Sequence, residues 1–257
     1  MVVLENICKS FDGAEVLKNL NINFDDKKIT VVIGRSGCGK TIMLKHILGL
    51  VKPDSGRVLI DGVDLNAIDR KELNELRKKF GMVFQGGALF DSLNIFENVA
   101  FPLRQHFKTV FPLKQHAELR ESEIKKRVLL KLDEVGLRNS EYKMPAEISG
   151  GMMKRVAVAR ALILEPEIVL FDEPTTGLDP IMSDVINNLI ISTQRKFKHT
   201  CIVISHNIAE AYKIGDSIAM LYDGAIIEIG DVEVFKHSEN PIIRQFVSGS
   251  MTGPIAI

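Results

Sequence analysis

The chain has 257 residues, with 33 Lys and Arg balanced by 33 Asp and Glu, and is 46% hydrophobic, 26% charged and 6% aromatic with no Trp. These totals exclude wholesale disorder, and zero net charge gives no support to nucleic-acid binding, which rests on neutralising phosphates. No apolar run nears the roughly 18 residues that span a bilayer, and no basic, apolar leader opens the chain. Cys8, Cys38 and Cys201 are too scattered for a paired metal site or a disulfide framework. A cytosolic mixed α/β protein is expected.

In chain order, Ile29-Thr30-Val31-Val32-Ile33 reads as a short buried strand and Thr41 to Leu48 as a helix. Gly56 to Gly62 brackets a strand of a small antiparallel sheet. From about Leu93 to Leu164 the pattern is helical, with Ile124, Val128, Leu132 and Val135 forming one buried stripe. Ile168 to Phe171 and Cys201 to Ile204 are continuous apolar strands, as in a parallel sheet covered on both faces.

Between the first strand and its helix lies Gly34-Arg35-Ser36-Gly37-Cys38-Gly39-Lys40-Thr41, which fits G-x-x-x-x-G-K-[ST]. Glycines let successive N–H groups face a polyphosphate, and the helix N-terminus adds positive potential. Lys40 can reach β- and γ-phosphates, and the Thr41 hydroxyl can ligate Mg²⁺. Cys38 reads as a small space-filler in this loop rather than a nucleophile. The strand Ile168-Val169-Leu170-Phe171 ends in Asp172-Glu173, delivering two carboxylates to the edge of the sheet where ligands of open α/β folds sit. Asp172 is expected to hold magnesium, directly or through water, and Glu173 to face the attacking water. A carboxylate is too weak a base to strip water outright, by about 15 kcal/mol. Glu173 is therefore expected to orient the water and accept its proton late.

With Gln85 in Val83-Phe84-Gln85, Glu147-Ile148-Ser149-Gly150-Gly151-Met152, Gly177-Leu178-Asp179 and Ile204-Ser205-His206, the chain resembles an ABC-transporter ATP-binding subunit. Taken singly, each of these residues has a bland structural reading, and Phe11 alone reads as core. The order and spacing, 24 positions from Ser149 to Glu173 and 33 from Glu173 to His206, carry the resemblance. It implies a P-loop NTPase (RecA-like) α/β fold over the whole chain, with a parallel-sheet core. An N-terminal antiparallel β subdomain and an inserted α-helical signature subdomain at about 87–165 complete it.

The resemblance also implies Mg²⁺-dependent ATP hydrolysis, with Lys40, Gln85, Glu173 and His206 catalytic and Thr41, Gln85 and Asp172 around the metal. Phe11 is then the aromatic that stacks on adenine. Residues Gly34 through Ile42 bind ATP in cis, and Ser149, Gly150, Gly151, Met152 and Asp179 bind it in trans across a homodimer. Two departures stand out. Ile42 lacks a hydroxyl common at that position, a loss of about 1 kcal/mol and about five-fold in affinity, and Met152 replaces the usual Gln.

The stretch Gly86 to Arg104, with Gly87-Ala88-Leu89-Phe90 and Asn98-Val99-Ala100-Phe101-Pro102-Leu103-Arg104, is similar to ATPase subunits of Mla/Mce-type phospholipid transporters. Phe246-Val247-Ser248-Gly249 followed by Gly253-Pro254-Ile255 is similar as well. That implies a transmembrane permease and an MCE-domain lipid-binding protein as partners, and a place on the cytoplasmic side of the inner membrane, peripheral through the permease. Leu89, Phe90 and Phe96 either line a cleft for a permease coupling helix or pack the helical subdomain. Arg104 to Arg127 holds seven Lys and Arg against three Glu and reads as a solvated helical face, with contact to anionic lipid as the alternative. The insertion at 105–120 has no assigned role. Other functional readings are a cassette serving a different cargo, a non-transport ABC ATPase, and a degenerate nucleotide-binding module. Long coiled-coil insertions and zinc cysteines, common in the non-transport proteins, are missing from the sequence. Retention of Lys40, Asp172, Glu173 and His206 argues against degeneracy.

Overall fold

The computed structural model describes residues 1–110 and 117–255, and the side chains of all of these except 106–110 and 117–120. It forms two compact units, Met1–Arg77 with Gln194–Ile257, and Lys78–Thr193.

In the first unit, β1 (Val2–Phe11) and β2 (Ala14–Phe24) form a hairpin, and β4 (Ser55–Ile60) and β5 (Val63–Asp64) extend it into a sheet of order β2-β1-β4-β5, antiparallel throughout. The turn Asp12-Gly13 has φ of 50° and 82°, the left-handed pair that matches the twist of a tight hairpin. A second group of strands sets β3 (Ile29–Ile33) parallel to both β8 (Thr200–Ser205) and β9 (Ser217–Tyr222). Strand β10 (Ala225–Gly230) closes it antiparallel to β9. Every residue of β3 and β8 is buried, as expected of strands covered on both faces. Helices α1 (Lys40–Ile47), α2 (Arg70–Arg77), α7 (Ile208–Ile214), α8 (Val232–Lys236) and α9 (Pro241–Ser248) complete the unit. After α9 the tail folds back: Gln245 Oε1 accepts from the Ile255 N–H at 2.7 Å, and the Ile255 side chain is buried.

The second unit pairs β6 (Phe80–Val83) parallel to β7 (Ile168–Asp172). Around them run α3 (Ile95–Val110), α4 (Ala117–Glu134), a 3-10 turn at Pro145–Glu147 and α5 (Gly150–Leu162). Helix α6 (Pro180–Phe197) begins here and ends in the first unit. The expected stripe Ile124, Val128, Leu132 and Val135 is buried throughout. Fully buried Asn98 explains part of the sequence stretch after Gln85. Its carboxamide accepts from the Phe90 N–H at 2.8 Å and donates to the carbonyls of Phe90, Leu93 and Asn94, pinning the loop ahead of α3. Arg104 grips both Glu97 oxygens at 3.1 Å and also pairs with Glu121, while Arg127 pairs with Glu123 at 2.6 Å. These contacts, with exposed Lys125, Lys126 and Arg127, make the described part of Arg104 to Arg127 a solvated, ion-paired face. The side chains of the 105–120 insertion, including Phe107, Lys108, Phe111, Pro112 and Lys114, lie outside the described residues apart from Gln105.

Two leucines of α4, two positions apart, separate packing from propensity. Leu132 is 1% exposed and Leu130 is 56% exposed. Leu132→Ala should cost about 2–5 kcal/mol and Leu130→Ala less than about 0.5 kcal/mol, read as shifts of the urea midpoint at unchanged slope.

Candidate functional site

The phosphate-binding candidate is built where β3 ends. Gly34 leaves the strand at φ 155°, and a Cβ there would lie 2.3 Å from the Leu221 carbonyl oxygen and 2.9 Å from Cys38 Sγ. Only glycine fits. Gly37 and Gly39 follow at φ 82° and 108°, turning the chain into α1 without a side-chain cap and without an acid in the first turn. The start of α1, the positive end of the helix, favours an anionic ligand. A Cβ at Gly37 would meet nothing within 4 Å, so the approach to the loop is open.

Lys40 is 5% exposed, and its Nζ lies 2.8 Å from the Gly34 carbonyl and 2.7 Å from that of Arg35. A phosphate oxygen in place of these neutral acceptors would add the attraction of opposite charges to bonds whose donor is already ionised. Arg35, Ser36 and Thr41 are exposed and Ile42 is half-buried. Burial pushes the Cys38 thiol pKa up, so it stays protonated, in keeping with a space-filling role.

Phe11 ends β1 with 41% of its surface exposed and Lys9 Nζ 5.3 Å from its ring centre, so it is not a core residue. His206 follows β8 on a pinned turn. Ser205 Oγ donates to buried Glu210 at 2.5 Å and accepts from the Asn207 N–H at 3.0 Å, while Asn207 caps α7.

In the second unit, β7 carries Asp172 to its end, 8% exposed, and Glu173 follows at φ 48° immediately before Pro174. A left-handed glutamate ahead of a proline is a strained backbone, a feature that collects at functional sites. Its Oε2 accepts from Thr176 Oγ1 at 2.9 Å and from Gln85 Nε2 at 3.4 Å. The structure therefore brings Gln85 to Glu173, and it adds Thr176, which no motif singled out. Ser149 caps α5 through Oγ, accepting from the Met152 N–H at 3.3 Å, so its proton remains for an outside acceptor. Gly150 is exposed. A Cβ at Gly151 would lie 2.3 Å from the tip of the Met182 side chain. Asp179 caps α6, with Oδ1 accepting from the Met182 N–H at 2.9 Å.

The donor set suits a magnesium nucleotide. Asp172 and Gln85 in the second unit and the Thr41 hydroxyl in the first each offer a hard oxygen donor, and among the described residues no cluster of three or more His, Cys, Asp or Glu could hold a metal ion. Hard oxygen donors of this kind suit Mg²⁺, which takes one or two protein ligands and completes its shell with phosphate oxygens and water.

The second unit also holds a groove of about 310 Å³ lined by apolar side chains including Phe80, Phe84, Phe90, Phe101 and Pro102, with Arg160 among them. Phe90 and Phe101 pack at 4.8 Å between ring centres. Of the three apolar residues expected there only Phe90 lines the groove; Leu89 and Phe96 are half-buried elsewhere, and Phe84 and Phe101 take their places. Among the described residues no helix is long and apolar enough to cross a membrane.

The family model for ABC transporters matches residues 17–176. The chain belongs to that family, and it is an ATP-binding subunit that hydrolyses ATP with Mg²⁺. It is 39% identical over its whole length to the "Probable ribonucleotide transport ATP-binding protein mkl" of Mycobacterium leprae (strain TN), of which it covers 71%. It is also 39% identical, over 93% of its length and 86% of the relative's, to the "Intermembrane phospholipid transport system ATP-binding protein MlaF" of Escherichia coli (strain K12). Among solved structures, a dimeric post-hydrolysis state of the ATP-binding cassette MJ0796 bound to ADP and Pi matches with a TM-score of 0.78 and 34% identity. That match covers 90% of this chain and 99% of that one. The fold is the α/β P-loop NTPase cassette.

One buried group links pH to the phosphate-loop helix. His46 on α1 is 1% exposed; its Nδ1 lies 2.8 Å from the Val51 carbonyl, which requires the proton there, and Nε2 is buried without a partner. Burial, helped by Lys9 and opposed by the Val51 bond and Asp54, lowers its pKa below the ordinary value. Unfolding restores a pKa of about 6.5 and takes up a proton, so this stability is present above about pH 6.5 and lost as pH falls below it. The urea midpoint should drop between pH 7.5 and 5.5, and less steeply in His46→Leu.

Proposed function

We propose that the chain powers a separate membrane permease that moves phospholipid, working as a homodimer on the cytoplasmic side of the membrane in a transport system of the Mla/Mce type. The observation that carries this reading is the groove beside Gln85. Ala88, Phe90, Phe101 and Pro102 of its lining belong to the stretch that resembles the phospholipid-transport subfamily, and the relative named for intermembrane phospholipid transport aligns over 93% of the chain. An open apolar groove of this size on a subunit with no described membrane-spanning helix suits a helix of a membrane partner. An MCE-domain lipid-binding protein is the expected further partner.

In this reading the loop from Gly34 to Thr41 cradles the phosphates of ATP through its N–H groups, and Lys40 neutralises the β- and γ-phosphates. Phe11 offers its exposed ring to adenine. Thr41, Asp172 and Gln85 hold Mg²⁺, which when bound offsets the charge that develops on the phosphates. Glu173, kept in place by Thr176 and Gln85, orients the water and accepts its proton as the phosphate leaves. His206 stands on the turn fixed by Ser205 and Glu210 as the switch at the terminal phosphate. Ser149, Gly150, Gly151, Met152 and Asp179 serve the nucleotide held by the second copy. The Ser149 hydroxyl can donate to a phosphate while still capping its own helix, so the signature needs no rearrangement to act in trans. Two-fold symmetry makes both composite sites at once, and cleavage of ATP severs the bridge between them.

A second reading, with ribonucleotide as cargo, is favoured by the equal identity to the mkl protein. Co-purified permease in phospholipid vesicles separates the two: ATP turnover stimulated by lipid supports the first, and turnover stimulated by added ribonucleotide supports the second. For the site itself, Glu173→Gln should keep Mg-ATP binding, lower hydrolysis at least about 100-fold and accumulate dimers in sedimentation. Normal turnover would remove Glu173 from its role.

A further inference from the structure

The loop that carries Gln85 is fastened to the signature helix by two cations of α5. Lys154 Nζ donates to the Gln85 carbonyl. Six residues on, Arg160 donates from Nη1 to the Ala88 carbonyl and from Nη2 to that of Gly87, each at 2.7 Å. Between the two cations Ala157 offers only a methyl group, and a Cβ built on Gly87 would lie 3.7 Å from it, so helix and loop can lie close. The loop is shaped for this contact. Gly87 and Ala88 are both left-handed, at φ 75° and 48°, and the Gly87 N–H closes a turn on the Phe84 carbonyl at 2.8 Å. Lys154 is 7% exposed, so its ammonium is an interior group and not a solvated one that happens to touch the loop.

Gln85 thus faces two ways. Its carbonyl is held by α5, whose N-terminus carries Ser149, Gly150 and Gly151, and its side-chain amide points to Glu173 Oε2 at 3.4 Å. Moving either end of that residue moves the other, because backbone and side chain share one Cα.

We propose that Lys154 is a positioning residue, which by gripping the Gln85 carbonyl sets the Gln85 amide against Glu173 and so ties the signature helix to the hydrolytic carboxylate. The inference rests on the roles given above to Gln85 and Glu173. Arg160 anchors the far end of the loop and leaves Lys154 as the link at Gln85 itself. Loss of the ammonium frees Gln85 to leave Glu173 without altering the phosphate loop. The effect therefore falls on turnover and not on nucleotide affinity.

The test uses the full chain, with kcat and KM for Mg-ATP and the hydrogen exchange of the Gly87 amide as readouts. Lys154→Met should lower kcat about tenfold with KM within about twofold, and speed exchange at Gly87. Lys154→Arg, which restores a cationic donor, should recover most of kcat. The double variant Gln85→Ala with Lys154→Met should be no slower than Gln85→Ala alone, since both remove one linkage. Should Lys154→Met lower the melting temperature, Lys154→Gln, which keeps a donor on a shorter stem, takes its place and must fall between wild type and Gln85→Ala. Wild-type kcat in Lys154→Met, or multiplicative losses in the double variant, overturns the link while leaving the role of Gln85 intact. Normal turnover in Gln85→Ala overturns that role, and the link with it.

Discussion

The structure depends on a backbone that must turn at the end of a fully buried strand without room for a Cβ. At Gly34 the Leu221 carbonyl stands 2.3 Å from where that atom would be, so the chain leaves β3 in a conformation open only to glycine. Because the turn is this tight, α1 starts with its N–H groups uncapped, and Lys40 is drawn back over the loop to the carbonyls of Gly34 and Arg35. The same economy recurs where other parallel strands end. Strand β7 ends at Asp172 and hands the chain to a left-handed Glu173, β8 ends at Ser205 ahead of His206, and β6 ends just before Phe84 and Gln85. In each case an apolar run sets a stiff support, and the first residues beyond it are those to which the proposed function assigns the chemistry.

How much of this was legible follows from what each feature asks of the sequence. The parallel strands showed themselves because burial on both faces demands unbroken runs such as Ile168 to Phe171, and helix α4 because Ile124, Val128, Leu132 and Val135 keep one period. The long hairpin of β1 and β2 was seen only as a small sheet somewhere near the N-terminus. Its register shifts between Leu4 and Ile7, between Ile7 and Lys9 and between Lys9 and Ser10, and each shift breaks the alternation that identifies a strand. Motif residues were legible because phosphate chemistry fixes their type and spacing. Phe11, read alone as core, is exposed, since a hairpin end lifts it out of the sheet.

What stayed hidden was tertiary. Phe84, Phe101 and Arg160 meet in one groove although Arg160 lies more than fifty positions from the other two, and no local pattern announces that meeting. Thr176 reads as one of two loop threonines until its hydroxyl is found on Glu173. Lys154, Arg155 and Arg160 are least legible of all. A sequence shows them as ordinary helix cations and suggests solvent or carboxylate partners, whereas Lys154 is buried and the other two are half-buried.

All three cations donate to main-chain carbonyls. Lys154 and Arg160 bind the carbonyls of Gln85, Gly87 and Ala88, and Arg155 binds those of Val135 at 3.3 Å and Gly136 at 2.9 Å, just past the end of α4. A carboxylate partner would fix only a side-chain rotamer at the far end of a flexible stem. A carbonyl is part of the main chain, so a bond to it fixes the path of the backbone. At the end of α4 the guanidinium also meets the negative pole of the helix, which favours it further. A hydrogen bond to a charged group contributes about 1.5–3 kcal/mol, comparable with the about 1–3 kcal/mol that a left-handed, non-glycine residue such as Ala88 or Glu173 costs. Helix α5 is thus more than the carrier of Ser149 at its start. Along its length it supplies charge to main-chain carbonyls of the neighbouring loops, among them that of left-handed Ala88.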